Sequence, residues 1–292
     1  MRVLIIAHPS VGIDAKKREW ITRIVSSISQ KGGAADVTYI MKPGKGKQYA
    51  SRAALEGYDA VYAAGGDGTL NDVASGLVER KTVFGVIPMG TGNGLARGLN
   101  IPFDLEGVIR MFERGKVIQI DVGKISSHYF FSVAGIGYEV YIADDFNQLT
   151  IPNRHIRTLF FLALKHYIFK RPEKVTLVID GQELTRTLFG LTVCNTGQYG
   201  SGAVIAPHAS AIDGKLTAVL IPKLNVFSGL RATYRLFHNT IHEMKGLEYI
   251  DFHSMKIKRE NPGAYEVDGE THPGGNNLNV TILPGALRII VL

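Results

Sequence analysis

The segment Gly65-Gly66-Asp67-Gly68-Thr69-Leu70-Asn71-Asp72 sets a carboxylate among three glycines, directly after the apolar run Ala60–Ala64. Glycine carries no Cβ, so backbone N–H groups in such a loop can turn toward a phosphate. A helix opening after the loop adds its positive N-terminal end. Asp67 would repel a phosphate placed against it. It is better suited to hold Mg²⁺ or to take the proton of a hydroxyl. A tight turn with an N-cap needs less than an acid boxed by glycines. A second loop, Pro88-Met89-Gly90-Thr91-Gly92-Asn93-Gly94-Leu95-Ala96-Arg97, follows the next apolar run, Phe84–Pro88. Arg97, on a short helix, can reach a phosphate or face solvent. Consecutive parallel strands would deliver both loops to one sheet edge, outside the carboxyl ends where open α/β sheets bind ligands.

Other nucleotide signatures are missing. There is no G-x-x-x-x-G-K-[ST], no complete G-x-G-x-x-G opening a helix, and no H-R-D or D-F-G string. A P-loop NTPase and a protein kinase are therefore excluded by motif. Two further acidic dipeptides, Asp213-Gly214 and Asp268-Gly269, read by themselves as hairpin turns.

The elements that must position these loops alternate through the first ~125 residues. Val3–Ala7, Val37–Ile40, Ala60–Ala64 and Phe84–Pro88 are short, nearly continuous apolar runs, as in strands buried on both faces. Between them Trp20, Ile21, Ile24, Val25 and Ile28 form one helical stripe that Gly32-Gly33 stops. Gln48–Glu56 and Leu70–Glu79 are helical as well. This alternation predicts a parallel sheet covered by helices. Beyond it, Val175–Asp180, Leu188–Asn195, Lys215–Ile221, Ile250–Lys258, Asn279–Leu283 and Leu287–Val291 read as strands. Asp180-Gly181 and Pro284-Gly285 are turn signals, and Phe227–Met244 is one long helix. The expected architecture is an α/β domain over residues 1–125 and a β-rich, sandwich-like domain over residues 126–292.

Composition narrows the class. Hydrophobic residues make up 45% of the chain, which excludes a disordered protein and suffices for two cores. The single cysteine, Cys194, excludes an intrachain disulfide and suits a reducing compartment. The uncharged stretch from Thr187 to Ile212 is long enough to span a bilayer but carries too many glycines and amides to do so. A cytoplasmic protein is expected. A net charge of +7 favours anionic partners without choosing among them. The basic residues are scattered and no reader motif is present, so nucleic acid is not the expected partner. Residues 153–174 mix Leu159, Phe160, Leu162, Ala163 and Tyr167 with Arg154, Arg157, Lys165, Lys170 and Arg171. Such a helix can dock on the sandwich or lie on an anionic membrane surface. An oligomer is compatible with the sequence.

The GGDGT loop (Gly65–Thr69) with Leu70-Asn71-Asp72, together with Pro88–Asn93, resembles the catalytic domain of diacylglycerol kinases, soluble bacterial-type lipid kinases related to sphingosine kinases. The first loop alone is shared with NAD kinases. The resemblance extends to Ile120-Asp121-Val122-Gly123-Lys124, Phe131–Tyr138, Asn195–Gly202, Ala206–Leu216 and Val267-Asp268-Gly269-Glu270. It implies an enzyme that uses ATP and Mg²⁺ to phosphorylate a lipid alcohol, diacylglycerol or a relative, with its active site between two domains. Gly65, Gly66, Asp67, Gly68, Thr69, Asn71, Asp72, Gly90, Thr91 and Asn93, with Pro9, Ser10 and Gly12 after the first strand, would bind ATP. Asp67, with Asp121, would organise the catalytic Mg²⁺. Glu270 would be the general base, with Asp268 beside it. Ser210, Asp213 and the main chain at Lys215 match a second, structural Mg²⁺ site. Three positions depart from the family pattern. His8 stands for an Asn, Met41 or Lys42 for a Thr, and Asp72 for a Glu. An NAD-kinase-like enzyme and a non-catalytic nucleotide sensor are the alternatives.

Overall fold

The computed structural model describes residues 1–42, 44–149 and 156–292; Arg154 lies outside it, as do the side chains of Phe146, Ile156, Arg157, Leu159, Phe160 and Val226. The chain forms two compact units, Met1–Val122 with Gly285–Leu292, and Gly123–Pro284.

In the first unit the order is β1 (Arg2–Ala7), α1 (Pro9–Ile13), α2 (Ala15–Gln30), β2 (Ala34–Tyr39), α3 (Lys45–Leu55), β3 (Ala60–Gly65), α4 (Asp67–Ser75), β4 (Val83–Pro88), α5 (Gly94–Gly98), α6 (Leu105–Arg114) and the start of β5 (Lys116–Ile125). The sheet runs β2-β1-β3-β4, all parallel. β1, β3 and β4 are buried along almost their whole length, which is why they read as unbroken apolar runs. The α2 stripe turns Ile21, Ile24 and Ile28 inward, and the Asp14 carboxylate caps it by accepting the Lys16 and Lys17 N–H groups.

In the second unit the order is β6 (His128–Phe130), β7 (Val133–Gly137), α7 (Tyr138–Gln148), α8 (Ile156–Phe169), β8 (Glu173–Ile179), β9 (Gln182–Leu188), β10 (Gly190–Cys194), β11 (Gln198–Gly200), β12 (Ala203–Val204), β13 (Leu216–Ile221), α9 (Val226–Phe237), β14 (Glu248–Phe252), β15 (Ser254–Arg259), β16 (Tyr265–Val267), β17 (Glu270–His272) and the start of β18 (Asn277–Val291). One antiparallel sheet runs β14-β13-β10-β7-β16-β17. A second is built of β18, β15, β8 and β9. Phe130, Ile136, Leu177, Leu191, Val193, Leu220, Phe252 and Ile257 fill the core of this sandwich. The α/β-plus-sandwich architecture is the expected one.

In the sheets, three details differ from the expected pattern. The run 250–258 is two strands in two different sheets, β14 beside β13 and β15 between β18 and β8, and at the crossing the Asp180 carboxylate accepts the N–H groups of His253 and Ser254. Pro284-Gly285 is a bend within one long strand rather than a hairpin: Gly285 takes φ +58° and its N–H donates to buried Asp121 at 2.7 Å. Residues 285–292, expected in the second domain, pair with the first unit, with Ile289 parallel to Phe84 on β4.

Candidate active site

Three loops leave the carboxyl edge of the parallel sheet, and backbone hydrogen bonds tie each to its neighbour. The His8 N–H donates to Ala64 O, and the Met89 N–H to Gly65 O, both at 2.9 Å. The two glycine loops meet backbone to backbone. A Cβ on Gly90 would sit 2.3 Å from the Gly66 Cα, so position 90 requires glycine, while a Cβ on Gly66 would meet the Gly90 Cα at a tight 3.3 Å. Asp67, at the first position of α4, reaches across to the second loop. Its Oδ2 accepts the Asn93 N–H and its Oδ1 the Gly94 N–H, each at 2.7 Å. Asn93 is 1% exposed, takes φ +52° and donates Nδ2–H to Gly90 O. Its buried Oδ1 has no hydrogen-bond partner among the described residues. Arg97 folds back: Nε–H donates to Gly92 O at 3.1 Å and the guanidinium lies over the Phe103 ring. It braces the loop instead of projecting from it.

The departures from the family pattern acquire physical explanations. His8 is the N-cap of α1, with Nδ1 accepting the Ser10 N–H at 3.2 Å and lying 2.8 Å from the Ser10 Oγ. A ring nitrogen thus does what an Asn amide oxygen does at an N-cap. Partial burial, and then Lys17, lower its pKa and favour the neutral ring that this bond needs. The Asp72 carboxylate is turned toward α3, accepting the Gly46 N–H at 2.8 Å and the Lys47 N–H at 3.2 Å. A Cβ on Gly46 would meet Asp72 Oδ2 at 2.6 Å, so the shorter acid and the glycine fit together. Met41 is 73% exposed. Thr69 is buried against Gly65, Asn71 Oδ1 accepts from Ser75 Oγ, and Thr91 is exposed.

In the second unit Asp268 and Gly269 form the turn between β16 and β17. Both have positive φ (+46° and +89°), and Val267 pairs with Glu270. This is a type I′ hairpin, as the sequence alone suggests. It is also more. The buried Asp268 carboxylate accepts three backbone N–H groups, from Phe131, Ser132 and Val133, at 2.8–3.1 Å. It pins β7 to the hairpin that carries Glu270. Asn147 Nδ2–H donates to Gly269 O at 2.7 Å, and Glu270 is exposed.

Two acids that the sequence reading passed over stand beside this hairpin. Glu266, 5% exposed, accepts the Gly269 N–H. Glu139, at the start of α7, accepts Thr192 Oγ1–H at 2.9 Å, and its Oε1 has no partner among the described residues. Burial, and then Glu266, push the Glu139 carboxyl well above the usual range. That shift favours the neutral form, which can face a second acid. A Glu inside the otherwise apolar strand Tyr265–Val267 was the available sequence signal.

Asp121 is buried and committed to the Gly285 N–H. Asp213 closes its own turn, accepting the Lys215 N–H at 3.1 Å, and Lys215 Nζ lies 3.8 Å from Asp251. No cluster of three or more His, Cys, Asp or Glu side chains suited to a metal occurs among the described residues. A single carboxylate with backbone and water ligands still satisfies Mg²⁺. The glycine cradle and Asp67, each of whose oxygens takes one of these two N–H bonds, fit a phosphate and its cation.

The sequence profile of the family "Diacylglycerol kinase catalytic domain" matches residues 2–125, and that of the "YegS C-terminal NAD kinase beta sandwich-like domain" matches residues 132–291. A diacylglycerol kinase of Bacillus subtilis (strain 168) is 28% identical over 92% of this chain and 89% of its own length. One from Staphylococcus aureus (strain JH9) is 31% identical over 77% of this chain and 72% of its own. The crystal structure of a diacylglycerol kinase from Bacillus anthracis str. Sterne superposes with a TM-score of 0.79 at 20% identity, covering 100% of this chain and 97% of that one, a likeness of fold. With both family profiles matched in order, and relatives at this level of identity, the chain belongs to the bacterial-type diacylglycerol kinase family, phosphotransferases of the lipid-kinase type.

Proposed function

We propose that this chain transfers the γ-phosphate of ATP to the hydroxyl of a lipid alcohol, diacylglycerol or a close relative. The observation that carries the reading is the pair of glycine loops packed backbone to backbone at the carboxyl ends of β3 and β4, locked by Asp67. Phosphoryl transfer asks for positioning and charge neutralisation more than covalent chemistry. Gly65, Gly66, Gly68, Gly90 and Thr91 supply a backbone cradle for the phosphates. The buried Asn93 Oδ1 supplies an acceptor that a bound nucleotide or its water can use. Mg²⁺, when bound, neutralises phosphate charge; Asp67 is the residue to hold it, with Asp121 as the second carboxylate of the reading.

Glu270 is the proposed general base. It rides on a tight, pinned hairpin and is exposed, so it can receive a hydroxyl proton. Asp268 holds that hairpin in place through its three N–H bonds and is a positioning residue. Ser210, Asp213 and Lys215 remain a proposed structural Mg²⁺ site. Among the described residues no helix is long and apolar enough to cross a membrane. The proposed acceptor is a membrane lipid, met through peripheral contact with an anionic surface.

Transfer of label from γ-³²P-ATP with Mg²⁺ into mixed micelles of diacylglycerol, monoacylglycerol, phosphatidylglycerol, ceramide or sphingosine tests the reading, with NAD as the soluble control. Label in a lipid, lost in Asp67→Ala, is the expected result. Label in NAD alone moves the chain to NAD-kinase-like chemistry. ATP binding with no transfer to any acceptor makes it a nucleotide sensor.

A further inference from the structure

Helix α9 (Val226–Phe237) wears its large apolar residues on the outside. Phe227 is 85% exposed, Tyr234 62%, Leu230 47% and Phe237 43%. At 100° per residue these four fall on one side of the helix, a stripe along its length of about 18 Å. The face turned to the protein is made of smaller groups. Ala232 and Leu236 pack on the core layer of Val133, Cys194, Ile205, Val219 and Ile241, and Gly229 lies against the Tyr167 ring of α8. A helix that only roofed the sheet would do the reverse and bury its aromatics.

Charge says what the stripe faces. Residues 222–237, the approach to α9 and the helix itself, contain Lys223, Arg231 and Arg235 and no Asp or Glu; of these Arg235 is paired with Glu243 at 2.9 Å. Arg231 sits on the exposed face within the stripe and makes no ion pair among the described residues. His238 extends that face by stacking on Tyr234, with ring centroids 3.9 Å apart. Helix α8 beside it is also free of acids and exposes Ile168 (58%) and Phe169 (76%), followed by Lys170 and Arg171. An apolar ridge bordered by cations matches the interface of an anionic bilayer, where aromatic rings enter the headgroup layer and cations stay at the phosphates. A second copy of the chain is the poorer fit. Arg231 lies at the middle of α9, so two-fold antiparallel pairing of the stripes would set Arg231 against its own counterpart.

We infer that the outer face of α9 is the membrane-docking surface of this protein, with Phe227, Leu230, Tyr234 and Phe237 inserting into anionic lipid and Arg231 holding the headgroups. The inference rests on the lipid-kinase reading for its purpose, but its test does not use turnover. The full chain is mixed with vesicles of phosphatidylcholine alone or of phosphatidylcholine and phosphatidylglycerol in equal parts, and binding is read by co-sedimentation. The wild type is expected to bind the anionic vesicles and not the neutral ones. Phe227→Ser with Tyr234→Ser should weaken that binding by about 100-fold, roughly tenfold per aromatic ring withdrawn from lipid. Arg231→Glu should weaken it as well, with a shallower dependence on salt. These side chains are exposed, so thermal unfolding curves should match the wild type.

Wild-type vesicle binding that the double variant retains overturns the proposal, as does a wild type that binds no vesicle. A dimer seen by analytical ultracentrifugation and abolished by the double variant, without vesicle binding, overturns it in favour of a second copy. Phosphorylation of a short-chain, monomerically dispersed diacylglycerol separates the two readings. Vesicle binding without that activity sinks the kinase assignment and leaves the surface standing. Activity without vesicle binding does the opposite.

Discussion

Asp67 and Asp268 do similar work in the two units. Each is an acid beside glycine at a turn, and each grips the main chain of another segment. Asp67 accepts N–H groups from residues 93 and 94, Asp268 from residues 131, 132 and 133. The difference lies in what remains. Asp268 is 9% exposed and takes three N–H groups, an anchor in a closed setting. Asp67 takes one from this loop on each oxygen, at the edge of a glycine cradle that has no side chains to fill it. The geometry buries one clamp and leaves the other half-buried beside glycines.

The comparison can be broken most sharply at Glu270, the exposed acid that the Asp268 clamp presents. Glu270→Gln should lower kcat by about 10²–10⁴-fold, the range of a lost general base, with an unchanged urea midpoint. Asp268→Ala should instead cost about 2–4 kcal/mol of stability, because three buried N–H groups lose their acceptor. Steady-state kinetics and urea unfolding on the same two proteins decide between the roles. Equal stability loss in both would erase the distinction.

Gly90→Ala tests the cradle from the other side. Its methyl would sit 2.3 Å from the Gly66 Cα, so the loops must part. We expect about 1–3 kcal/mol of destabilisation and ATP binding weakened by at least about tenfold, read by calorimetry. Gly275→Ala is the control, since a Cβ there meets nothing closer than 4.0 Å.

The last effect concerns Glu139, whose carboxyl pKa burial and then Glu266 raise. Its folded pKa lies above the unfolded value, so its contribution to stability is complete below the unfolded pKa and drains away as pH rises toward the folded one. Wild type should therefore lose stability relative to Glu139→Gln as pH rises above the ordinary carboxylate range, by at most about 1.4 kcal/mol per pH unit. Parallel pH dependences in the two proteins would show that Glu139 is ionised in the fold.

Local chemistry was legible in the sequence wherever one segment decides it. The parallel strands announced themselves as apolar runs because both faces are covered, and Asp180-Gly181 (φ +45° and +89°) forms the β8–β9 turn that its residue types demand. What escaped depends on partners far along the chain. Asp180 grips the crossing inside the run 250–258 from 73 residues away. Asp121 turns Pro284-Gly285 from a hairpin signal into a bend from 164 residues away. The long helix expected to Met244 stops at Phe237, where Asn239 takes φ +57°. The α9 stripe escaped for another reason: periodicity gives the period of an apolar face and not the direction in which it points.

The bond between Asp121 and Gly285 also bears on how the protein is made. Residues 285–292 leave the ribosome after all of residues 123–284, yet they belong with residues 1–122. The first unit therefore waits, one edge of its sheet unpaired, until the second unit has been synthesised. A nascent chain stalled anywhere in that interval carries an exposed β4 edge and no finished kinase. The order of translation withholds activity from incomplete product, at the cost of a window in which a chaperone has a strand edge to shield.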